Sequence, residues 1–106
     1  MSVPLEIAPM EVKRRLDAGE KLFLIDVRQP WERAIASVAG SEVFPMPLGQ
    51  LEERARQAPL IVYCHHGVRS LNAVQWLREQ GIENCQSMSG GIDRWSCEID
   101  PSVARY

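Results

Sequence analysis

The run Leu60-Ile-Val-Tyr-Cys64 contains no residue that needs to face water. A strand that is apolar on both faces must be covered on both, and the common solution is an inner position in a parallel sheet flanked by helices. Other segments fit that plan. Leu22–Ile25 is a second continuous apolar run, closed by Asp26, and a further strand is expected around Cys85–Met88. Between them lie helical patterns. Pro9 suits a first helical position, with Glu11 early in the helix and Gly19 past its end, and Pro30 opens a second helix through Trp31, Arg33 and Ile35. Leu48–Gln57 reads as a helix on propensity. Ser70–Gln80 is the strongest helix, with Leu71, Val74 and Leu77 on one face and Gly81 as its stop. Short extended segments at Leu5–Ala8 and Val43–Phe44, and a short helix near Ile92–Trp95 after the Gly90-Gly91 turn, complete the alternation. The expectation is an α/β domain with a mainly parallel sheet and helices on both faces.

A chain of 106 residues is the size of one domain, taken as 1–106. It can bury roughly two-thirds of its unfolded surface, so no metal or disulfide staple is needed. A formal net charge of -2 argues against general nucleic-acid binding. The apolar runs are far too short to span a membrane. Met1 to Arg15 lacks the basic region and apolar run of a secretory signal. Three cysteines, at 64, 85 and 97, form no paired framework, which points to a reduced, cytoplasmic protein.

In parallel α/β sheets, ligands bind outside the carboxyl ends of the strands. That singles out Cys64-His-His-Gly-Val-Arg69-Ser70, which joins the strongest strand to the strongest helix. Several influences there favour a thiolate, the form of cysteine that attacks. The helix start offers unpaired N–H groups, and Gly67 lets the loop curl so that such groups point inward. Arg69, His65 and His66 add cationic or donor side chains. Cys64 is therefore the expected nucleophile, with His65, His66, Gly67, Val68, Arg69 and Ser70 as its substrate cradle. The bland alternative is a small apolar residue at a strand end. The conjunction of strand, cysteine, glycine, arginine and helix weighs against it. Upstream, Arg28 and Glu32 are expected to pair and brace the loop, and Asp26 to accept hydrogen bonds from it. Cys85 and Cys97 read as packing, and Trp31, Trp76 and Trp95 as core or edge packing. No paired ligand motif accompanies Cys64, His65 and His66, so neither a metal nor a cofactor is expected.

The pattern Cys64-x-x-Gly67-x-Arg69-Ser70 resembles the active loop of rhodanese domains, and similar features run along nearly the whole chain. Asp26-Val-Arg28 followed by Glu32 resembles the family's Asp-x-Arg-x-x-x-Glu segment. Phe44-Pro45-Met46-Pro47-Leu48 resembles its Ile-Pro-Leu stretch, and Gly90-Gly91-Ile92-Asp93-Arg94-Trp95 its closing elements. Ser37 stands where many relatives have histidine, and His65 where many carry arginine. The resemblance implies a sheet of five parallel strands and a persulfide cycle on Cys64, fed by a small sulfur donor or a protein persulfide. The ending Asp100-Pro-Ser-Val-Ala-Arg-Tyr106 resembles the tail of rhodanese domains fused to adenylyltransferases, which implies a sulfur-carrier system as partner.

Two rival readings share the fold. A cysteine phosphatase or arsenate reductase also caps a cysteine loop with arginine, but its loop is one residue longer than the four between Cys64 and Arg69. A binding or regulatory module without turnover commonly lacks the nucleophile, which this chain keeps.

Overall fold

The computed structural model describes residues 3–106. In chain order its elements are β1 (Glu6–Ile7), α1 (Pro9–Asp17), β2 (Phe23–Asp26), α2 (Pro30–Ile35), β3 (Glu42–Val43), α3 (Leu48–Gln57), β4 (Leu60–Tyr63), α4 (Val68–Glu79), β5 (Cys85–Met88) and α5 (Gly91–Glu98). The strands form one sheet in the order β1-β5-β4-β2-β3, and every pairing is parallel. The apolar run that implied an inner strand occupies the centre, with Leu60 to Tyr63 beside Phe23 to Asp26 on one edge and Leu60 to Val62 beside Cys85 to Ser87 on the other.

Alternation along β4 divides the core in two. Ile61 and Tyr63 join Ile7, Leu24 and Met88 on the face covered by Val12 of α1 and by Ile92 and Trp95 of α5. Leu60 and Val62 join Ile25 and Cys85 on the face covered by Leu51 of α3 and by Val74 and Leu77 of α4. The continuous apolar pattern of β4 thus reflects period-two packing against two separate helix pairs. Prolines begin α1 and α2, where a missing N–H costs nothing. α4 begins at Val68, earlier than its periodicity suggests, because left-handed Gly67 (φ 103°) turns the chain directly into the helix. The tryptophans divide between the two places expected of them, core and edge: Trp95 is buried in the core, whereas Trp31 and Trp76 are 61% and 45% exposed. No helix among the described residues is long and apolar enough to cross a membrane.

This arrangement makes α4 the main cover of one sheet face. Replacing the buried Leu77 with alanine is expected to lower unfolding free energy by about 2–5 kcal/mol through lost burial and a residual cavity. Urea unfolding followed by circular dichroism measures it, and a loss below about 1 kcal/mol would contradict tight packing of α4.

Candidate active site

Cys64 directly follows β4, at the carboxyl end of the central strand. Its carbonyl accepts a hydrogen bond from the Ile92 N–H at 2.9 Å, and the His65 carbonyl accepts one from the Asp93 N–H at 3.1 Å. The first turn of α5 thereby uses donors that a helix start leaves free to hold the loop from outside. The contact is close. Gly91 adopts φ 60°, and a Cβ there would run into the carbonyls of Cys64 and His65.

On the inner side, the Cys64 sulfur accepts from the Gly67 N–H at 3.1 Å and the Ser70 N–H at 3.4 Å. The Ser70 hydroxyl lies 3.4 Å from the sulfur and 2.7 Å from the hydroxyl of Ser87 on β5. Cys64 is 1% exposed, as a packing cysteine would be, but its neighbours are donors. Cys85 shows the contrast. Its thiol donates to the Ile82 carbonyl at 3.3 Å, and burial pushes its pKa up. The environment of Cys85 favours a neutral thiol, while that of Cys64 suits an anionic sulfur. Cys97 is exposed on α5.

The side chains around the loop pair differently from the sequence expectation. Arg28 does not pair with the Glu32 carboxylate. Its Nε and Nη2 bond Asp26 at 3.0 and 2.8 Å, and both side chains are fully buried. Arg28 lies before α2 begins, so it turns back toward the strand end instead of meeting Glu32 across a helical turn. Asp26 accepts no bond from the cysteine loop either. Its remaining partners are Arg33 at 2.8 Å and the Tyr63 hydroxyl at 3.0 Å, and the latter also accepts from the Val38 N–H.

Glu32 instead takes both nitrogens of the Arg69 fork, at 2.7 and 2.9 Å. It also accepts from the Tyr106 hydroxyl at 2.6 Å and the Gln29 N–H at 3.1 Å. These donors, Arg69 first, hold the Glu32 carboxyl at about 2. The His65 ring is stacked between His66 and Tyr106, with centroids 3.9 Å away in each case, and burial pushes its pKa down. Neither imidazole nor the Arg69 guanidinium hydrogen-bonds the sulfur, contrary to the expectation that they add donors to it. Backbone N–H groups and a hydroxyl take that place. Val68 stands exposed beside the loop.

His65, His66 and Asp93 bring ligand-type atoms within 4.8 Å of one another. The imidazoles are stacked rather than convergent, and Asp93 is engaged by Arg105 at 2.9 Å, so the set is poorly arranged to hold a metal. Sequence reasoning missed Ser87, Gly91 and Tyr106. The doubled glycine before a helix was a usable signal for Gly91. A serine in a predicted strand was a weak one for Ser87, and nothing local marked Tyr106.

Comparison with known proteins gives a consistent picture. The family model described as "Rhodanese-like domain" matches residues 8–98. The probable adenylyltransferase/sulfurtransferase MoeZ of Mycobacterium tuberculosis is 34% identical over 104 residues, covering 94% of this chain and 26% of that protein. The chain thus spans about a quarter of that relative. Thiosulfate sulfurtransferase GlpE of Haemophilus influenzae is 37% identical over 92 residues, covering 85% of this chain and 86% of that one. Among solved structures, a rhodanese-related protein from Thermoplasma volcanium superposes with a TM-score of 0.70 at 29% identity, covering 97% of this chain and 100% of the other.

The Glu32 arrangement carries a pH signature. Its carboxyl titrates at about 2 in the folded protein against an ordinary 4.5, so its contribution to stability is complete above 4.5 and is lost as pH falls toward 2. The stability difference between the natural protein and Glu32→Gln, from urea midpoints, should be constant near neutrality and shrink across that interval. A difference independent of pH would contradict the pairing. Gly91→Ala should destabilise at every pH, by more than about 1 kcal/mol, because the new Cβ meets both loop carbonyls at a left-handed φ.

Proposed function

The chain belongs to the rhodanese-like domain family, and from that premise we propose that it is a sulfurtransferase carrying sulfur as a persulfide on Cys64. The observation that carries this reading is the ring of donors on the Cys64 sulfur, Gly67 N–H, Ser70 N–H and the Ser70 hydroxyl, at 3.1–3.4 Å. They stabilise negative charge on sulfur without a counter-ion in contact.

In the first half-reaction the thiolate attacks the outer sulfur of a donor such as thiosulfate. A new S–S bond forms, the donor's own S–S bond breaks, and sulfite leaves with the electron pair. In the second, an acceptor thiolate or cyanide attacks the outer sulfur of the persulfide, and the Cys64 thiolate leaves. The cycle is redox-neutral and needs no cofactor. His65, His66, Val68 and Arg69 form the surround that a donor meets, and Asp26, Arg28 and Glu32 hold that surround in place. The relatives named for thiosulfate sulfurtransfer support a small anionic donor. Those fused to adenylyltransferases support a persulfide donor with a sulfur-carrier protein downstream. A reducing compartment such as the cytoplasm suits the exposed free Cys97 and a Cys64 that must return to thiolate.

Incubation with thiosulfate, followed by removal of excess donor, should leave the natural protein one sulfur atom heavier by intact-mass spectrometry. Cyanide should then remove that atom as thiocyanate. Cys64→Ser should neither gain sulfur nor turn over, while Cys85→Ser and Cys97→Ser should retain loading. Substantial loading of Cys64→Ser would sink the assignment. Hydrolysis of aryl phosphates that disappears in Cys64→Ser would favour the phosphatase reading instead.

A further inference from the structure

Tyr106 lies in the segment after α5, and its side chain reaches the cysteine loop from two directions. The ring lies flat on His65, with centroids 3.9 Å apart and planes 9° from parallel, and Trp31 meets it edge-on at 6.0 Å. The hydroxyl accepts from Arg28 Nη1 at 2.8 Å and donates to Glu32 Oε2 at 2.6 Å. The direction of these bonds is determined, since a guanidinium only donates and an ionised carboxylate only accepts. Burial and the adjacent Glu32 push the Tyr106 pKa up, which keeps the proton in place.

The hydroxyl therefore joins two ion pairs. Asp26–Arg28 lies on one side and Glu32–Arg69 on the other. With Gln29 N–H and Tyr106 O–H on its oxygens, the Glu32 carboxylate has little freedom to swing. Arg69 bonds it through two of five N–H groups and remains 44% exposed at its side chain. Three N–H groups are left for another anion, and their position depends on how firmly Glu32 is held. Arg69 directly precedes Ser70, whose N–H and hydroxyl reach the Cys64 sulfur, so the guanidinium springs from the same helical turn as the donors of the reacting atom.

We propose that Tyr106 is a positioning residue for anionic sulfur donors, acting through Glu32 to hold Arg69 where it receives the donor's negative end. This rests on the sulfurtransferase reading but is testable apart from it. The experiment alkylates Cys64 with iodoacetate, which is anionic, and with iodoacetamide, which is neutral and similar in size. Rates are read at Cys64 by peptide mass spectrometry. Tyr106→Phe keeps the ring on His65 and removes only the hydroxyl.

The iodoacetate-to-iodoacetamide rate ratio should fall about threefold or more in Tyr106→Phe, the scale of a weakened bond to a charged group, with the iodoacetamide rate nearly unchanged. Arg69→Ala should lower the ratio at least as far. The double variant should match Arg69→Ala, because residues acting through one path are not additive. The KM for thiosulfate should rise by a similar factor in Tyr106→Phe with kcat little changed. An unchanged ratio in Tyr106→Phe, or a full additional loss in the double variant, would overturn the proposal. A fall in ratio without turnover of either thiosulfate or a small persulfide donor would support the positioning role and refute the sulfurtransferase reading alone.

Discussion

Backbone N–H groups can serve a reactive sulfur only if the peptides that bear them are prevented from turning. Part of the restraint on this loop comes from α5, whose first turn binds the carbonyls of Cys64 and His65, just before the peptides that serve the sulfur. A trans peptide directs its N–H opposite its C=O, so fixing these two carbonyls turns the N–H groups of His65 and His66 away from α5. Gly67 then reverses the chain in the left-handed region and delivers its own N–H to the sulfur. Because α5 packs on one sheet face and α4 on the other, the loop is held between elements from both layers. Its shape is a property of the whole fold.

The electrostatics of the site follow a related economy. Every strongly placed cation near the loop is committed to a carboxylate: Arg28 and Arg33 to Asp26, Arg69 to Glu32. The fully buried Asp26–Arg28 pair contributes little net stability but is costly to break singly, so it specifies arrangement more than it strengthens the fold. The consequence for chemistry is a cradle built from dipoles, with paired charges around it. Such a cradle suits one anionic sulfur.

Much of this was legible in the chain. β4 was evident because five consecutive apolar residues have few other uses in a domain of this size, and α3 and β5 run between the residues that pattern and turn signals suggested. The cysteine loop was legible because its position follows from topology. Partner choice was not. Arg28 and Glu32 are spaced like neighbours on a helix, yet α2 starts at Pro30, so the spacing carried no such meaning. Tyr106 lies 74 residues from the carboxylate it bonds, and no local pattern connects them. Trp31 is exposed because it stands at the start of α2 beside the site, where it meets Tyr106. In each case the missing information was tertiary: which side chains three-dimensional proximity brings together after the strands are in order.

The hydroxyls of Ser70 and Ser87 show how such proximity serves a sulfur that changes charge. Ser70 Oγ lies within hydrogen-bond reach of the Cys64 sulfur, the Gly67 carbonyl at 3.3 Å and the Ser87 hydroxyl. When the sulfur is a thiolate, Ser70 can donate to it and receive from Ser87. When the sulfur carries a proton, Ser70 can accept that proton's bond and turn its own toward Gly67. Both states are satisfied by rotating O–H bonds alone, with no heavy atom displaced. A buried polar group left unmet in either state would cost about 1–3 kcal/mol. The two serines, one on α4 and one on β5, avoid that cost at the hydroxyls, and they meet only because the sheet register sets Ser87 beside Val62, two residues before the nucleophile.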